Sequence, residues 1–185
     1  EKGHTHYSSN AGFLELRYEI SRYLYRRFNL SYHPENEILV TVGGSEGIDL
    51  ALRALVGPGD EVIIPEPSFV AYKGCTTFTG ATPKVIELKA ENEFKLTKEE
   101  LLEAITPKTK VLIMPFPNNP TGAIMTKEEL QEIVDVLKDK EIIIISDEIY
   151  AELTYQTQHV SIASFPEVKD QTLVINGFSK AYAMT

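Results

Sequence analysis

Cysteine is almost missing from these 185 residues: Cys75 stands alone. An internal disulfide and a cysteine metal cluster are therefore excluded, and a reducing, cytoplasmic setting is expected. Long apolar runs are missing too. The longest, such as Ile142–Ile145, fall far short of the ~20 residues a membrane-spanning helix needs, and no signal peptide is visible. Positive charge is scarce, with 18 Lys and Arg against 27 Asp and Glu and a formal net charge of -9. Nucleic acid is bound through clustered Lys and Arg, so it is not an expected partner. There are no repeats, low-complexity tracts or internal linkers. The chain begins at Glu1 without a methionine and ends at Ala181-Tyr182-Ala183-Met184-Thr185 without a helix stop signal. The expectation is an excerpt of a longer protein. It reads as one domain over 1–185, in which a helical segment, 1–35, leads into an alternating core, 36–185.

What is present is an alternation of strand and helix. Candidate strands are Ile38–Val42, Glu61–Pro65, Lys84–Leu88, Lys110–Met114, Ile142–Ser146 and Thr172–Asn176. Several are short continuous runs rich in Ile and Val, as expected of strands buried on both faces of a parallel sheet. Leu16, Ile20, Tyr23, Leu24 and Arg27 suggest a first helix. Ile48, Ala51, Leu52 and Leu55 repeat at helical spacing, and Gly57-Pro58-Gly59 ends that helix. Thr97 with Glu100, and Thr126 with Glu129, have capping-box spacing. Leu130, Ile133, Val134 and Leu137 form another stripe. The pattern predicts an α/β fold, a mostly parallel sheet with helices on both faces. In such sheets ligands bind outside the carboxyl ends of the strands.

Five loops at those ends carry candidate chemistry. Gly43-Gly44-Ser45-Glu46-Gly47 opens a helix, where glycines let backbone approach an anion and the free N–H groups favour phosphate. It is not a Walker motif, and a plain tight turn would use the same residues. In Pro65-Glu66-Pro67-Ser68-Phe69-Val70-Ala71-Tyr72, two prolines set an extended exit. Phe69 either stacks on a planar cofactor ring or fills the core. Asn118-Asn119-Pro120-Thr121-Gly122 makes a turn unaided, or offers the Asn119 amide to a phenolic oxygen. In Ser146-Asp147-Glu148-Ile149-Tyr150 the acids either answer a helix dipole, or Asp147 holds a pyridine nitrogen protonated with Tyr150 facing the same site. In Gly177-Phe178-Ser179-Lys180, the lysine is a solvated charge or an active amine. Five loops, each ordinary alone, converge on one edge of one sheet.

Taken together and in order, Gly44-Ser45-Glu46, Asn119-Pro120-Thr121-Gly122, Asp147-Glu148-Ile149-Tyr150 and Ser179-Lys180 resemble the motifs of the class I and II aminotransferases of fold type I. The resemblance covers nearly the whole chain. It implies pyridoxal 5'-phosphate as cofactor, with Lys180 as its Schiff-base lysine and Asp147 as partner of the pyridine nitrogen. Asn119 and Tyr150 match the donors to the ring hydroxyl oxygen, and Phe69 the stacking aromatic. Backbone groups of Gly44, Ser45 and Glu46 match the phosphate cup. Tyr7, in Tyr7-Ser8-Ser9-Asn10-Ala11-Gly12, matches a tyrosine that reaches a neighbouring subunit's phosphate, so a homodimer is implied. Where the family often has a phosphate-binding serine, three residues before the lysine, this chain has Gly177; Ser179 is the candidate replacement.

The implied reaction moves an amino group between an amino acid and a 2-oxo acid, with Lys180 as general base at the α-carbon. A carbon–sulfur β-lyase shares fold, cofactor and lysine. A non-catalytic, aminotransferase-like sensor domain of a regulator is a further alternative. A generic nucleotide-binding domain lacks its fingerprint here. By the same resemblance, the last antiparallel strand of the large domain, a phosphate-binding arginine and the small domain with its carboxylate-binding arginine lie beyond Thr185. The 185-residue piece alone is expected to be inactive.

Overall fold

The computed structural model describes residues 3, 7–155 and 157–185. The chain divides into two compact units, Glu1–Val42 and Gly43–Thr185.

In the first unit, helix α1 spans Leu14–Phe28, where the apolar spacing placed a helix. It ends as Asn29 turns left-handed at φ 55° while the Leu30 amide reaches back to the Leu24 carbonyl at 3.3 Å, which satisfies carbonyls the helix end leaves open. Leu24 and Phe28 are its buried apolar residues, joined by Arg17; Arg27, counted with the stripe on spacing, is exposed. The Arg17 guanidinium is buried because its Nη1 donates to the carbonyls of Pro34 and Glu35, both at 2.9 Å. The expected strand Ile38–Val42 does not form: these residues join no sheet. Val40 donates one backbone bond to Ala11, and Leu39 and Val42 are exposed. An apolar run becomes a strand only with a neighbour to complete its ladder, and none is present among the described residues.

The second unit contains the other five expected strands: β1 (Glu61–Glu66), β2 (Thr82–Glu87), β3 (Thr109–Met114), β4 (Ile143–Asp147) and β5 (Thr172–Ile175). All pair in parallel, in the order β2-β1-β3-β4-β5. Helices α2 (Gly44–Leu55), α3 (Ala71–Phe78), α4 (Lys98–Ala104) and α5 (Lys127–Leu137) connect and cover them. Side chains alternate across a strand, and here they separate two cores. Ile63, Leu112 and Ile144 pack with Leu101, Leu130, Ile133 and Val134 of α4 and α5. Val62, Ile64, Val111, Ile113 and Ile145 pack with Ile48, Leu52 and Tyr72 of α2 and α3. The middle of the sheet is thus covered on both faces, so β1, β3 and β4 carry apolar runs that meet water on neither face, while the edge strands β2 and β5 stay partly exposed.

Both expected capping boxes are present. Thr97 and Thr126 each accept from the backbone three residues on, and Glu100 and Glu129 return the bond. Helix α3 is an addition to the sequence reading, which left Ala71 and Tyr72 in the loop after β1. At eight residues it is too short to show a periodic stripe. Among the described residues β5 pairs with β4 alone, so one of its edges is open.

Candidate active site

Because β1, β3, β4 and β5 are parallel, the loops after Glu66, Met114, Asp147 and Ile175 leave from one edge of the sheet. The N-terminus of α2 reaches the same edge. A Cβ placed on Gly44 would lie 3.4 Å from Ile175 Cγ2 and 3.7 Å from Ile149 Cδ1. The residue before the helix, Gly43, has φ 81° and offers no side-chain cap. A helix N-terminus directs backbone N–H groups toward an anion. Ser45 and Glu46 are exposed there, and Gly44 is half-buried.

Asp147 is the last residue of β4 and is 7% exposed. Its Oδ2 accepts from the Tyr72 hydroxyl at 2.7 Å and its Oδ1 from the Ile149 amide at 3.2 Å. No helix starts here, since residues 149–152 form turns, so the acid does not answer a helix dipole. Burial pushes the Asp147 carboxyl above its ordinary range; the Tyr72 hydroxyl and Ile149 amide pull it down, and the neighbouring Glu148 charge adds to the rise. The same burial, reinforced by Asp147, drives the Tyr72 hydroxyl far above its usual value. Tyr72 is therefore a permanent donor at physiological pH. It also meets Phe69 edge-on, with ring centroids 5.7 Å apart at 85°, so Phe69 is both a partner of the core and a neighbour of the Asp147 shell.

Lys180 comes five residues after β5, in a turn closed by the Tyr182 amide on the Phe178 carbonyl. It is exposed, and its Nζ lies over the Tyr150 ring, 5.9 Å from the centroid. Ser179 beside it is half-buried. Strand β5 delivers this segment next to Asp147: Ile175 lies opposite Asp147 in the ladder, and its carbonyl accepts from the Glu148 amide at 2.8 Å. A Cβ on Gly177 would stand 2.7 Å from Ile149 Cδ1, so the end of that side chain would have to turn aside to admit one. The Ile149 side chain thus lies between Gly44 and Gly177.

Asn119 is exposed in the loop after β3. Its neighbour Asn118 supports the loop: buried, it donates Nδ2 to the Pro67 carbonyl at 3.1 Å and accepts from the amide and hydroxyl of Thr121. This joins the loop after β3 to the loop after β1. Gly44, Phe69, Asp147, Tyr150, Ser179 and Lys180 thus stand around one edge. Tyr7 is exposed and belongs to the first unit. Two residues were missed by sequence reasoning. Tyr72 escaped because its distance from Asp147 in sequence gave no local cue; its place three residues after Phe69, one helical turn on, was the available signal. Asn176 escaped as the end of a strand. Its Oδ1 accepts from the Gly177 amide at 2.7 Å, while its Nδ2 is buried without a partner.

The whole chain, residues 1–185, matches the family described as "Aminotransferase class I and II". It therefore belongs to that family. It is 51% identical over 185 residues to YugH of Bacillus subtilis (strain 168), covering 100% of this chain and 48% of that protein. It is 43% identical over 186 residues to the aspartate aminotransferase of Geobacillus stearothermophilus, covering 100% of this chain and 47% of that one. The aromatic aminotransferase of Pyrococcus horikoshii OT3 superposes with a TM-score of 0.96 at 40% identity, over 100% of this chain and 49% of that one. The chain thus spans about half the length of the relatives it matches.

The residues present fit the pyridoxal phosphate that the family implies. Asp147 spends one hydrogen bond on each oxygen, and a carboxylate has about four acceptor positions, so capacity remains for a protonated ring nitrogen. Gly43 gives α2 no side-chain cap, and the Asn176 amide is an unpaired buried donor at the same end of the sheet. These are the features a bound phosphate and ring would use. No group of three or more His, Cys, Asp or Glu among the described residues could hold a metal ion, and no described helix is long and apolar enough to cross a membrane.

Proposed function

We propose that the full-length protein is a pyridoxal-phosphate-dependent aminotransferase that moves an amino group between an amino acid and a 2-oxo acid, with Lys180 as the covalent attachment point. The observation that carries this is Asp147: buried, held by two donors, with acceptor capacity left, and on the same sheet edge as the first turn of α2 and Lys180. The cofactor, when bound, supplies an electron sink for charge developing at the amino acid's α-carbon. Lys180 provides the amine for attachment and, once displaced by substrate, a base within reach of the α-proton. Asp147 opposes the positive charge of a protonated ring nitrogen, and this is strongest when that charge is most needed, so it acts on rate. Tyr72 keeps Asp147 aimed.

In this reading the backbone of Gly44, Ser45 and Glu46 holds the phosphate, with Ser179 beside it. Phe69 stacks on the ring, and Asn119 and Tyr150 donate to its hydroxyl oxygen. Tyr7 reaches the phosphate of a second subunit in a cytoplasmic homodimer. Relatives of near-equal identity are named for aspartate and for aromatic substrates, so the amino donor is chosen outside what these residues specify.

Borohydride reduction of the full-length protein loaded with pyridoxal phosphate, followed by peptide mapping, tests the assignment. A reduced pyridoxyl label on Lys180 is expected. A label on another lysine, or none, overturns it.

A further inference from the structure

Next to Asp147 stands a second buried carboxylate that the proposed chemistry does not use. Glu148 is fully buried. Burying a carboxylate is costly unless its oxygens are filled, and here they are. Oε1 accepts from the Ser146 hydroxyl at 3.0 Å and the Ser161 hydroxyl at 2.6 Å, and Oε2 lies 2.9 Å from His159 Nε2. His159 and Ser161 are themselves buried. Ser161 is also the cap of the short turn Ile162–Ser164, accepting from the Ala163 amide at 3.2 Å. Ile162, Phe165 and Val168 then anchor that segment in the core shared by α4 and α5.

The backbone of Glu148 stands at a junction. Its amide holds the Ile175 carbonyl, the last residue of β5 before the run to Lys180. On one side is Asp147, whose Oδ1 is bound by the amide of Ile149 on the other side. Whatever fixes Glu148 therefore fixes both the turn that aims Asp147 and the strand end that leads to Lys180. A surface glutamate would have served to end a strand; this one is sunk among three partners from two segments.

We propose that Glu148, clamped by His159, Ser161 and Ser146, is a positioning residue that sets Asp147 relative to the strand end carrying Lys180. The proposal rests on the aminotransferase reading of the site. Groups that touch cofactor need rigid support behind them, and losses of about 10-fold to 100-fold are usual when such support is removed from a comparable ligand shell. The Glu148 charge also joins burial in raising the Asp147 carboxyl, so the clamp acts on the electrostatics of Asp147 as well as its aim.

The test uses the full-length protein and three variants. His159→Phe keeps volume and removes the donor. His159→Gln restores an N–H near the Nε2 position. Ser161→Ala removes a second donor and serves where His159→Phe fails to fold. Two readouts are taken. In cofactor-free protein, residue-resolved hydrogen exchange follows the Glu148 and Ile149 amides. In loaded protein, kcat and KM are measured separately. His159→Phe and Ser161→Ala are expected to speed exchange at both amides and to lower kcat by about tenfold with KM within about twofold, with His159→Gln recovering most of the loss. Unchanged exchange at Glu148 and Ile149, or unchanged kcat in a variant with lowered Tm, would overturn the proposal. A wild-type protein that binds no pyridoxal phosphate would instead sink the parent reading, and the exchange rates would still decide the clamp.

Discussion

The Tyr72 hydroxyl donates to Asp147 Oδ2 at 2.7 Å, joining the first turn of α3 to the end of β4 across 75 positions of sequence. The bond ties a donor that cannot ionise at physiological pH to the acid on which the proposed chemistry depends.

Tyr72→Phe removes that donor and leaves the ring's packing. A buried oxygen that loses its partner costs about 1–3 kcal/mol, and the Asp147 carboxyl, deprived of a bond that favours its charge, shifts further upward. In the full-length protein kcat is expected to fall by about tenfold, with a smaller change in KM. A double-mutant cycle with Asp147→Asn checks the mechanism: the two losses should be far from additive if Tyr72 acts through Asp147. Additive losses would mean that Tyr72 acts elsewhere.

The raised Asp147 carboxyl makes a prediction about stability with a definite sign. In the cofactor-free fold Asp147 holds its proton more tightly than in the unfolded chain. Between the unfolded and folded pKa values the folded state binds more protons, so stability falls as pH rises through that window. The window opens near 3.8, the ordinary value of an aspartate, and extends upward. Asp147→Asn carries no charge to bury, and its Oδ1 can still accept from the Ile149 amide while its Nδ2 donates to the Tyr72 oxygen. At pH 7 the cofactor-free variant should therefore melt higher than the parent, by about 2–4 °C for each kcal/mol relieved, with the gain vanishing toward pH 4. Thermal melts across pH 4–8 measure it. The same variant should lose orders of magnitude in kcat in the loaded protein, stability and function moving in opposite directions. A lower Tm at neutral pH would contradict the sign.

The inner strands β1, β3 and β4 were legible because each is a short apolar run with both faces covered, while the edge strands β2 and β5, partly exposed, were legible from their place in the strand–helix alternation. Capping boxes were legible because both partners lie three residues apart. Ile38–Val42 has the same composition as the other runs, yet composition does not supply a neighbouring strand. Asp147, Tyr150 and Lys180 could be picked out as candidates because the first ends β4 and the others follow the ends of β4 and β5. Tyr72, His159 and Ser161 could not, because each meets its carboxylate partner across more than ten residues of sequence. His159 in particular read as nothing in sequence and is buried against a carboxylate in the fold.

Gly177 explains a departure from the family's frequent serine. A side chain there meets Ile149 Cδ1, the mobile end of that side chain, at 2.7 Å, so the isoleucine must turn aside to admit it, at about 0.5–1.5 kcal/mol if it leaves its rotamer. Gly177→Ser should therefore destabilise the protein and fail to tighten cofactor binding. Valine lacks the Cδ1 atom, so Ile149→Val in the same chain should recover most of the Tm and let the new hydroxyl contribute. Calorimetry and cofactor titration of the single and double variants measure both. A single Gly177→Ser variant as stable as the parent would show that Ile149 moves freely.

The first turn of α2 offers the sharpest test of where the phosphate goes, because helix stability and anion binding can be driven in opposite directions there. Ser45 is the second residue of the helix and is exposed. An acid in a first turn favours the helix dipole by about 0.3–1 kcal/mol, so Ser45→Asp should leave the fold intact or slightly firmer. The same charge would face a phosphate at close range, where like charges repel by several kcal/mol at an effective dielectric of about 20. Cofactor affinity in the full-length protein should then weaken by at least about tenfold, while Tm of the cofactor-free protein holds or rises. Ser45→Ala removes the hydroxyl and keeps the backbone donors, so it should stay within about threefold of the parent if those donors carry the phosphate. Fluorescence titration with pyridoxal phosphate measures the three proteins. An aspartate variant that binds as well as the parent would place the phosphate away from α2. An alanine variant that fails as badly as the aspartate would shift the contact from backbone to side chain.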